Sequence, residues 1–448
     1  MMCPEPNRSR ATLGSRALRR LLRWVVGCGV LVLLVDTWLV EGLLAPVIVA
    51  SGSMAPALLG PHRQWQCSGC QRTFNCGLES LPSPGAAAIC PNCGTENDVE
   101  AGQDLRGDRV LIDRSAFYWR APRRWEPVVF RCPDDARTLC VKRVVGLPGE
   151  KLQIRAGELV VDGTIATKDL ATCRSMAVLV YDSPAGDPRW QPPQGQPWSP
   201  TADGYVHNEK EKERPRRDRP ARRPRNTPVD WLVYRHQQRF AGGAQGGLIM
   251  DESAYDQDES RTLNPVTDVA LRCQIQASGN GAVWLRARSQ TDEFLVRVDV
   301  ETGEGDLDHN GHRTQLIEAG FEPFSRMATV ELFVVDQCAR LALNGSLLVE
   351  FDYQPSTPSA VFSSGETPSR DEPLAIGAQG AQVEVRDLQV WRDVFYTDGP
   401  RGTAATQFEL APGEYCLLGD NSPHALDSRG WSPPGLSDAM LVGRVLKW

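Results

Sequence analysis

The chain has 448 residues, 41% of them hydrophobic and 23% charged, with a formal net charge of -7. That length holds two or three domains, the composition is that of globular protein, and the acidic balance excludes a nucleic-acid binder, whose footprint is basic. Thirteen cysteines are unevenly spread. Five fall between Cys67 and Cys93, so that stretch has a chemistry of its own. Position alone assigns no pairing to the others.

The first element predicted is a membrane helix. Arg8, Arg10, Arg16, Arg19, Arg20 and Arg23 precede an apolar run from Trp24 to Val35, and apolar character resumes around Asp36 and Glu41. The uninterrupted run of about 12 residues is short of the roughly 20 that span hydrocarbon. With both carboxylates near the far interface, where they reach water at small cost, 21–45 becomes long enough. The arginines would hold residues 1–20 in the cytoplasm and put everything after about residue 45 outside. The expected localisation is therefore the cytoplasmic (inner) membrane, single-pass, with the remainder extracytoplasmic and membrane lipid as a partner. A cleavable secretory signal shares this basic-then-apolar order, but its cut would fall at the motif that begins at Ser51.

Ser51-Gly52-Ser53-Met54-Ala55-Pro56 follows at once. Serine among small residues is ordinarily a turn, so this segment gains meaning only from partners elsewhere. Next come Cys67-Ser68-Gly69-Cys70, nineteen residues, and Cys90-Pro91-Asn92-Cys93-Gly94. Paired CxxC knuckles at this separation are a zinc-ribbon signature, with Cys67, Cys70, Cys90 and Cys93 as tetrahedral ligands over 63–100. The zinc would be structural, because four thiolates leave no open coordination position. Disulfides are the alternative outside the cytoplasm. Cys76 is a spare thiol and a candidate replacement ligand.

Cys140 to Glu150 reads as a short apolar strand that carries Lys142 and Arg143 and ends in a turn at Gly146, Pro148 and Gly149. A lysine at the head of an apolar strand is a candidate for burial. Burial disfavours the ammonium and can lower the pKa by several units, which makes the amine a usable base near neutral pH. A serine hydroxyl needs such a base to be a nucleophile. No histidine other than His424 falls in these motifs, so a Ser-Lys dyad is favoured over a Ser-His-Asp triad.

Residues 169–229 are rich in proline and mixed charge and read as a linker. From 230 to 397 the pattern is short alternating strands, such as 270–275, 282–287, 294–300 and 328–335, separated by Gly, Asn and Asp turns. Period-two alternation at regular spacing predicts a β-sandwich. Its strand order resembles the concanavalin-like jelly roll, whose sugar-binding relatives make a glycan one expected ligand; a protein contact is the alternative, since fold does not decide function. Near the C-terminus stand Gly419-Asp420-Asn421 and, after five residues, Asp427-Ser428-Arg429.

Behind one apolar helix, the segments beginning at Ser51, Gly107-Asp108-Arg109-Val110, Lys142 and Gly419, with Leu441-Val442-Gly443-Arg444-Val445 at the end, resemble in order the boxes of bacterial type I signal peptidases. The resemblance implies a mainly β fold. An N-terminal transmembrane helix leads into a β-rich signal peptidase core (46–62, 101–168 and 398–448), which is interrupted by the zinc ribbon and the β-sandwich. It implies a serine endopeptidase that needs no cofactor for catalysis. Secretory preproteins would be its substrates, with signal peptides cut after small residues at -1 and -3. Ser53 would be the nucleophile and Lys142 the general base. The Ser53 N–H and the Ser51 hydroxyl would form the oxyanion hole. Asp420 with Arg143 and Asp427 with Arg429 would support the base, and Met54 would lie near the membrane-facing surface. The sequence departs from the family at Ala50, in place of a usual proline, and at Ala425, where many members carry a serine bonded to the lysine.

Overall fold

The computed structural model describes residues 12–83, 85–183, 189–208, 228–238, 245–258, 260–318, 323–356, 372–397 and 406–447. The charged run from Glu209 to Arg225 lies outside the described residues.

The N-terminal helix, Thr12–Val35, gives way at Asp36 to a π-helical stretch over Asp36–Leu43, and a strand begins at Leu44. The spanning helix expected over 21–45 is therefore not one α-helix. Among the described residues no helix is long and apolar enough to cross a membrane. The reason is local: the apolar run between Arg23 and Asp36 rises only about 18 Å, against a hydrocarbon core of roughly 30 Å. No part of the described protein covers the helix; Trp24, Leu31 and Leu33 are 75%, 61% and 63% exposed.

Strand Leu44–Ile48 opens a seven-stranded sheet. Its order continues with Arg109–Asp113, Leu441–Lys447, Pro127–Arg131, Leu139–Gly146, Glu414–Leu418 and Leu436–Ser437. Sequence-distant segments thus become neighbours: Cys416 pairs with Gly146, and Val445 with Ile112. Ala45, Val49, Met54, Leu58, Val110, Ile112 and Val129 close one face of the sheet. Met54 is fully buried in that cluster. An unbranched side chain fills the irregular space behind the turn that carries Ser53. A second, four-stranded sheet contains Lys151–Arg155 and Glu158–Val161.

Two further sheets, of eight and seven strands, share one core that runs from Tyr181 to Val390. This is the β-sandwich, and it takes in part of what reads as linker. Val178–Asp182 pairs with the long strand Gln382–Arg392, as does Gly204–His207, and Trp198–Pro200 adds to the latter. The prolines set the composition of 178–207, but Tyr181, Trp190, Trp198 and Tyr205 are buried in the core. Aromatics of that size contribute enough apolar area to turn a proline-rich segment into edge strands. The linker reading of 169–229 is corrected to that extent.

Candidate active site

Ser53 sits in a short 3-10 turn, Gly52–Met54, directly after the first strand. The Gly107-Asp108 segment fixes this turn from the side. Asp108 Oδ2 accepts the Leu59 N–H at 2.9 Å, the Val49 N–H donates to the Asp108 carbonyl at 2.9 Å, and the Asp108 N–H donates to the Leu59 carbonyl at 2.8 Å. Only glycine fits beside them, because a Cβ on Gly107 would lie 1.9 Å from the Val49 carbonyl oxygen.

Lys142 comes from strand Leu139–Gly146 and is 5% exposed. Its Nζ lies 2.6 Å from Ser53 Oγ and 3.1 Å from the Val141 carbonyl oxygen. Desolvation by burial holds the Lys142 pKa below the ordinary lysine value; Asp427, Cys140, Cys132 and Asp420 pull upward without cancelling it. The neutral amine can accept the Ser53 proton across the 2.6 Å contact. Ala425, fully buried, packs with Gly419 beside the lysine stem, so no side chain at that position bonds the lysine.

The predicted supports are placed around this pair. Arg143 grips Asp420 with two bonds, Nε–Oδ1 at 2.8 Å and Nη2–Oδ2 at 2.5 Å, and donates to the Trp125 carbonyl at 2.7 Å. Burial works against the Arg143 charge, but Asp420 outweighs it and raises the pKa. Arg429 and Asp427 form a second two-bond pair, at 2.8 and 2.6 Å, with no exposed side-chain surface. Asp427 Oδ2 also accepts the Gly419 N–H at 3.0 Å. Ser51 Oγ lies 3.4 Å from Ser53 Oγ. A cavity of about 340 Å³ opens over Ser51, Ser53 and Lys142.

Sequence reasoning missed that two insertions line the same cavity. Glu79 and Ser80 come from the cysteine-rich segment, and Tyr255 and Asp256 from the long insertion. A run such as Asp251-Glu252-Ser253-Ala254-Tyr255-Asp256 carries no local signal beyond acidity, so nothing in it could have been read as part of the site.

The four predicted zinc ligands converge. The sulfurs of Cys67, Cys70, Cys90 and Cys93 lie within 4.8 Å of one another, with Cys67–Cys93 at 3.4 Å and Cys70–Cys90 at 3.7 Å. Four thiolates on a tetrahedral ion with bonds of about 2.3 Å stand about 3.8 Å apart, so the donor set fits zinc. Each knuckle closes the same way: Gln71 N–H donates to the Cys67 carbonyl and Gly94 N–H to the Cys90 carbonyl, with φ of 59° and 75°. Burial pushes Cys67 up, but backbone donors at Cys70 and Gly69 and the neighbouring thiols prevail and hold it at about 6. All four are free thiols in this structure. Cys76 is no replacement ligand. It faces the carbonyls of Ser80 and Tyr255 at 3.1 and 3.3 Å, and burial pushes its thiol to about 11.

Residues 101–198 match the family described as Signal peptidase, peptidase S26. That stretch contains Lys142 and Arg143, and it makes this part of the chain similar to serine peptidases. A Signal peptidase I of Leptolyngbya laminosa is 31% identical over 64 residues, covering 12% of this chain and 31% of that protein. The chain thus spans about a third of the length of this curated relative. Among solved structures, a carbohydrate binding module from Bacillus subtilis is 12% identical and covers 45% of this chain and 94% of its own, with a TM-score of 0.27. A Caenorhabditis elegans galectin is 15% identical over 28% of this chain and 83% of its own, with a TM-score of 0.20.

Proposed function

We propose that the protein is a signal peptidase I, a serine endopeptidase that removes signal peptides from translocated preproteins. Ser53 is the nucleophile and Lys142 the general base in this reading. The observation that carries it is the 2.6 Å contact between Lys142 Nζ and Ser53 Oγ, with the lysine buried and its pKa lowered. Lys142 takes the hydroxyl proton as Ser53 Oγ attacks the scissile carbonyl. The Ser53 N–H and Ser51 hydroxyl stabilise the oxyanion, and the protonated lysine then delivers the proton to the leaving amine. Small residues at -1 and -3 of the substrate fit this reading, and no cofactor takes part. The test is cleavage of a preprotein in detergent or liposomes: Ser53→Ala and Lys142→Ala should each abolish it. Processing at the wild-type rate by either variant would end the dyad assignment.

The proposal includes location at the extracytoplasmic face of the cytoplasmic membrane, where translocated preproteins emerge. It is supported by the uncovered apolar surface of Trp24–Val35 beside a cluster of arginines. Flotation with liposomes should carry the full chain and leave behind a variant with Leu31, Leu33 and Leu34 changed to Ser. Cys67, Cys70, Cys90 and Cys93 would hold a structural zinc that ties the two knuckles together. About one zinc per chain is expected under reducing conditions; zinc-free protein with these thiols oxidised would replace the metal by disulfides. For the sandwich a glycan remains the proposed ligand. A cavity of about 510 Å³ presents Gln276, Ser278, Asn280 and Gln382, whose amides and hydroxyls suit sugar hydroxyls. Absence of binding on a glycan array would leave protein contact as the alternative.

A further inference from the structure

The segment Ser253–Gln257 reaches from the sandwich into the dyad's surroundings. On the sandwich side, Asp251 accepts from Arg261 at 2.8 Å and from the Asn264 N–H at 2.7 Å, and the Glu252 carbonyl accepts from Arg392 at 2.9 Å. On the ribbon side, the Gly77 N–H donates to the Tyr255 carbonyl at 2.8 Å. Gln257 exchanges two bonds with the Ile89 backbone, at 2.8 and 2.9 Å. Between these anchors the Tyr255 ring lies against the backbone of the nucleophile turn. A Cβ on Gly52 would come within 2.2 Å of the ring.

Asp256, 8% exposed, stands next in line. Its Oδ2 accepts from Asn421 Nδ2 at 2.9 Å, and the same amide nitrogen donates to the Gly52 carbonyl at 3.1 Å. A carboxylate only accepts, so Asp256 settles which end of the Asn421 amide faces it. Both amide protons are then used, one on Asp256 and one on Gly52. The Asn421 N–H adds a bond to the Ser53 carbonyl at 3.2 Å. The Gly52 carbonyl belongs to the same peptide unit as the Ser53 N–H. In a trans peptide the two point in opposite directions. Holding the carbonyl through Asn421 therefore aims the Ser53 N–H the other way, toward the place where the oxyanion forms.

We infer that Asp256, supplied by the long insertion, is a positioning residue of the oxyanion hole: it locks Asn421, and through it the Gly52–Ser53 peptide. The inference rests on the Ser53–Lys142 reading and extends it, because the insertion becomes a part of the peptidase site rather than an accessory to it.

Kinetics on a signal-peptide substrate with the full chain test this. An oxyanion donor acts only in the transition state. Asp256→Ala should therefore lower kcat by about tenfold, with KM changed by less than about twofold and the pH limb of Lys142 unmoved. Asp256→Asn keeps an acceptor oxygen and should recover kcat to within roughly threefold of wild type. Asn421→Ala, which leaves the insertion untouched, should match Asp256→Ala, and the double variant should lose no more than either single one. Wild-type kcat in Asp256→Ala, or a raised KM at unchanged kcat, would overturn the inference. If Asp256→Ala fails to fold, Asp256→Ser, whose hydroxyl is too short to reach the Asn421 amide, replaces it and is read by the same criteria. Failure of the underlying reading looks different: Ser53→Ala and Lys142→Ala would then still cleave.

Discussion

Lys142 and Lys168 are both nearly inaccessible, at 5% and 2% exposure, and their chemistry is opposite. Lys142 meets a hydroxyl and a backbone carbonyl, and burial lowers its pKa. Lys168 meets Asp336 Oδ1 at 2.6 Å and Asp393 Oδ2 at 2.7 Å. Burial disfavours its charge too, but Asp393, Asp336 and Glu158 overcome that and raise the pKa well above the ordinary value. Its Nζ also stands 4.6 Å from the centroid of the Trp125 ring, and the carbonyl of that same residue accepts from Arg143 beside the dyad. Burial alone therefore does not make a base. What does is burial with the carboxylates kept at a distance, and here Asp420 and Asp427 are occupied by Arg143 and Arg429. With both carboxylates paired to arginines, burial prevails at Lys142 and its pKa falls.

The largest effect expected breaks the comparison at its functional end. Lys142→Arg keeps a cation of similar reach that cannot deprotonate. Cleavage should fall by about a thousandfold or more. In the wild type the activity should rise with pH through the lowered lysine pKa and be lost as the amine is protonated below it. A pH–rate profile on a peptide substrate reads this limb; one that stayed flat down to pH 5 would remove Lys142 as the base.

At the other lysine the effect should be on stability. Lys168→Met leaves Asp336 and Asp393 buried without their cation, a class of change that costs about 3–5 kcal/mol. Chemical denaturation should show it. The full exchange sharpens the contrast: Lys168→Arg retains the charge and should cost less than half as much as Lys168→Met, whereas Lys142→Arg is as damaging to activity as Lys142→Ala. Equal stability of Lys168→Met and wild type would mean that the two lysines do not differ as described.

The sequence separates these two lysines only in part. Lys142 stands in an apolar run before a Gly-Pro-Gly turn, within a recognisable order of boxes, so its pairing with Ser53 could be expected although the two are 89 positions apart. Lys168 stands in Ala166-Thr167-Lys168-Asp169, and its partners are 168 and 225 positions away, in the turn after strand Ala328–Val335 and just past the end of strand Gln382–Arg392; no local pattern announces a salt bridge made by tertiary packing. The same limit hides Asp256, whose partner Asn421 is 165 positions away. Alternation was legible where strands are long, as in Val269–Ser278 and Ala282–Ser289. It was not legible in Trp190–Gln191 or Trp198–Pro200, where two or three residues between prolines hold place through one buried tryptophan. The N-terminal helix is visible in the sequence, but its end at Val35 is not, because carboxylates such as Asp36 and Glu41 are equally compatible with a helix that ends at the far interface.

The smallest effect concerns the carboxylates around Lys168. Glu158, Asp268 and Asp336 bring oxygens within 4.8 Å of one another, and one lysine cannot neutralise them together with Asp393. Burial, then the neighbouring Asp336 and Asp393, pushes Asp268 up to about 7, and burial raises Glu158 and Asp336 as well. A carboxyl with a folded pKa above its unfolded value binds more protons in the native state. Its contribution to stability is therefore complete below about pH 4 and is lost as pH rises through about 7. The junction between the second sheet and the sandwich should loosen on the alkaline side of that window, while the Lys168 ammonium stays charged throughout. Asp268→Asn removes the titration and retains an oxygen for the Asp336 N–H, now bonded at 2.7 Å. The variant should equal wild type near pH 4 and exceed it increasingly as pH rises, by roughly 4 kcal/mol near pH 8. A stability difference independent of pH would show that Asp268 is ionised throughout, and Lys168 would then carry more of the compensation than its two short bonds account for.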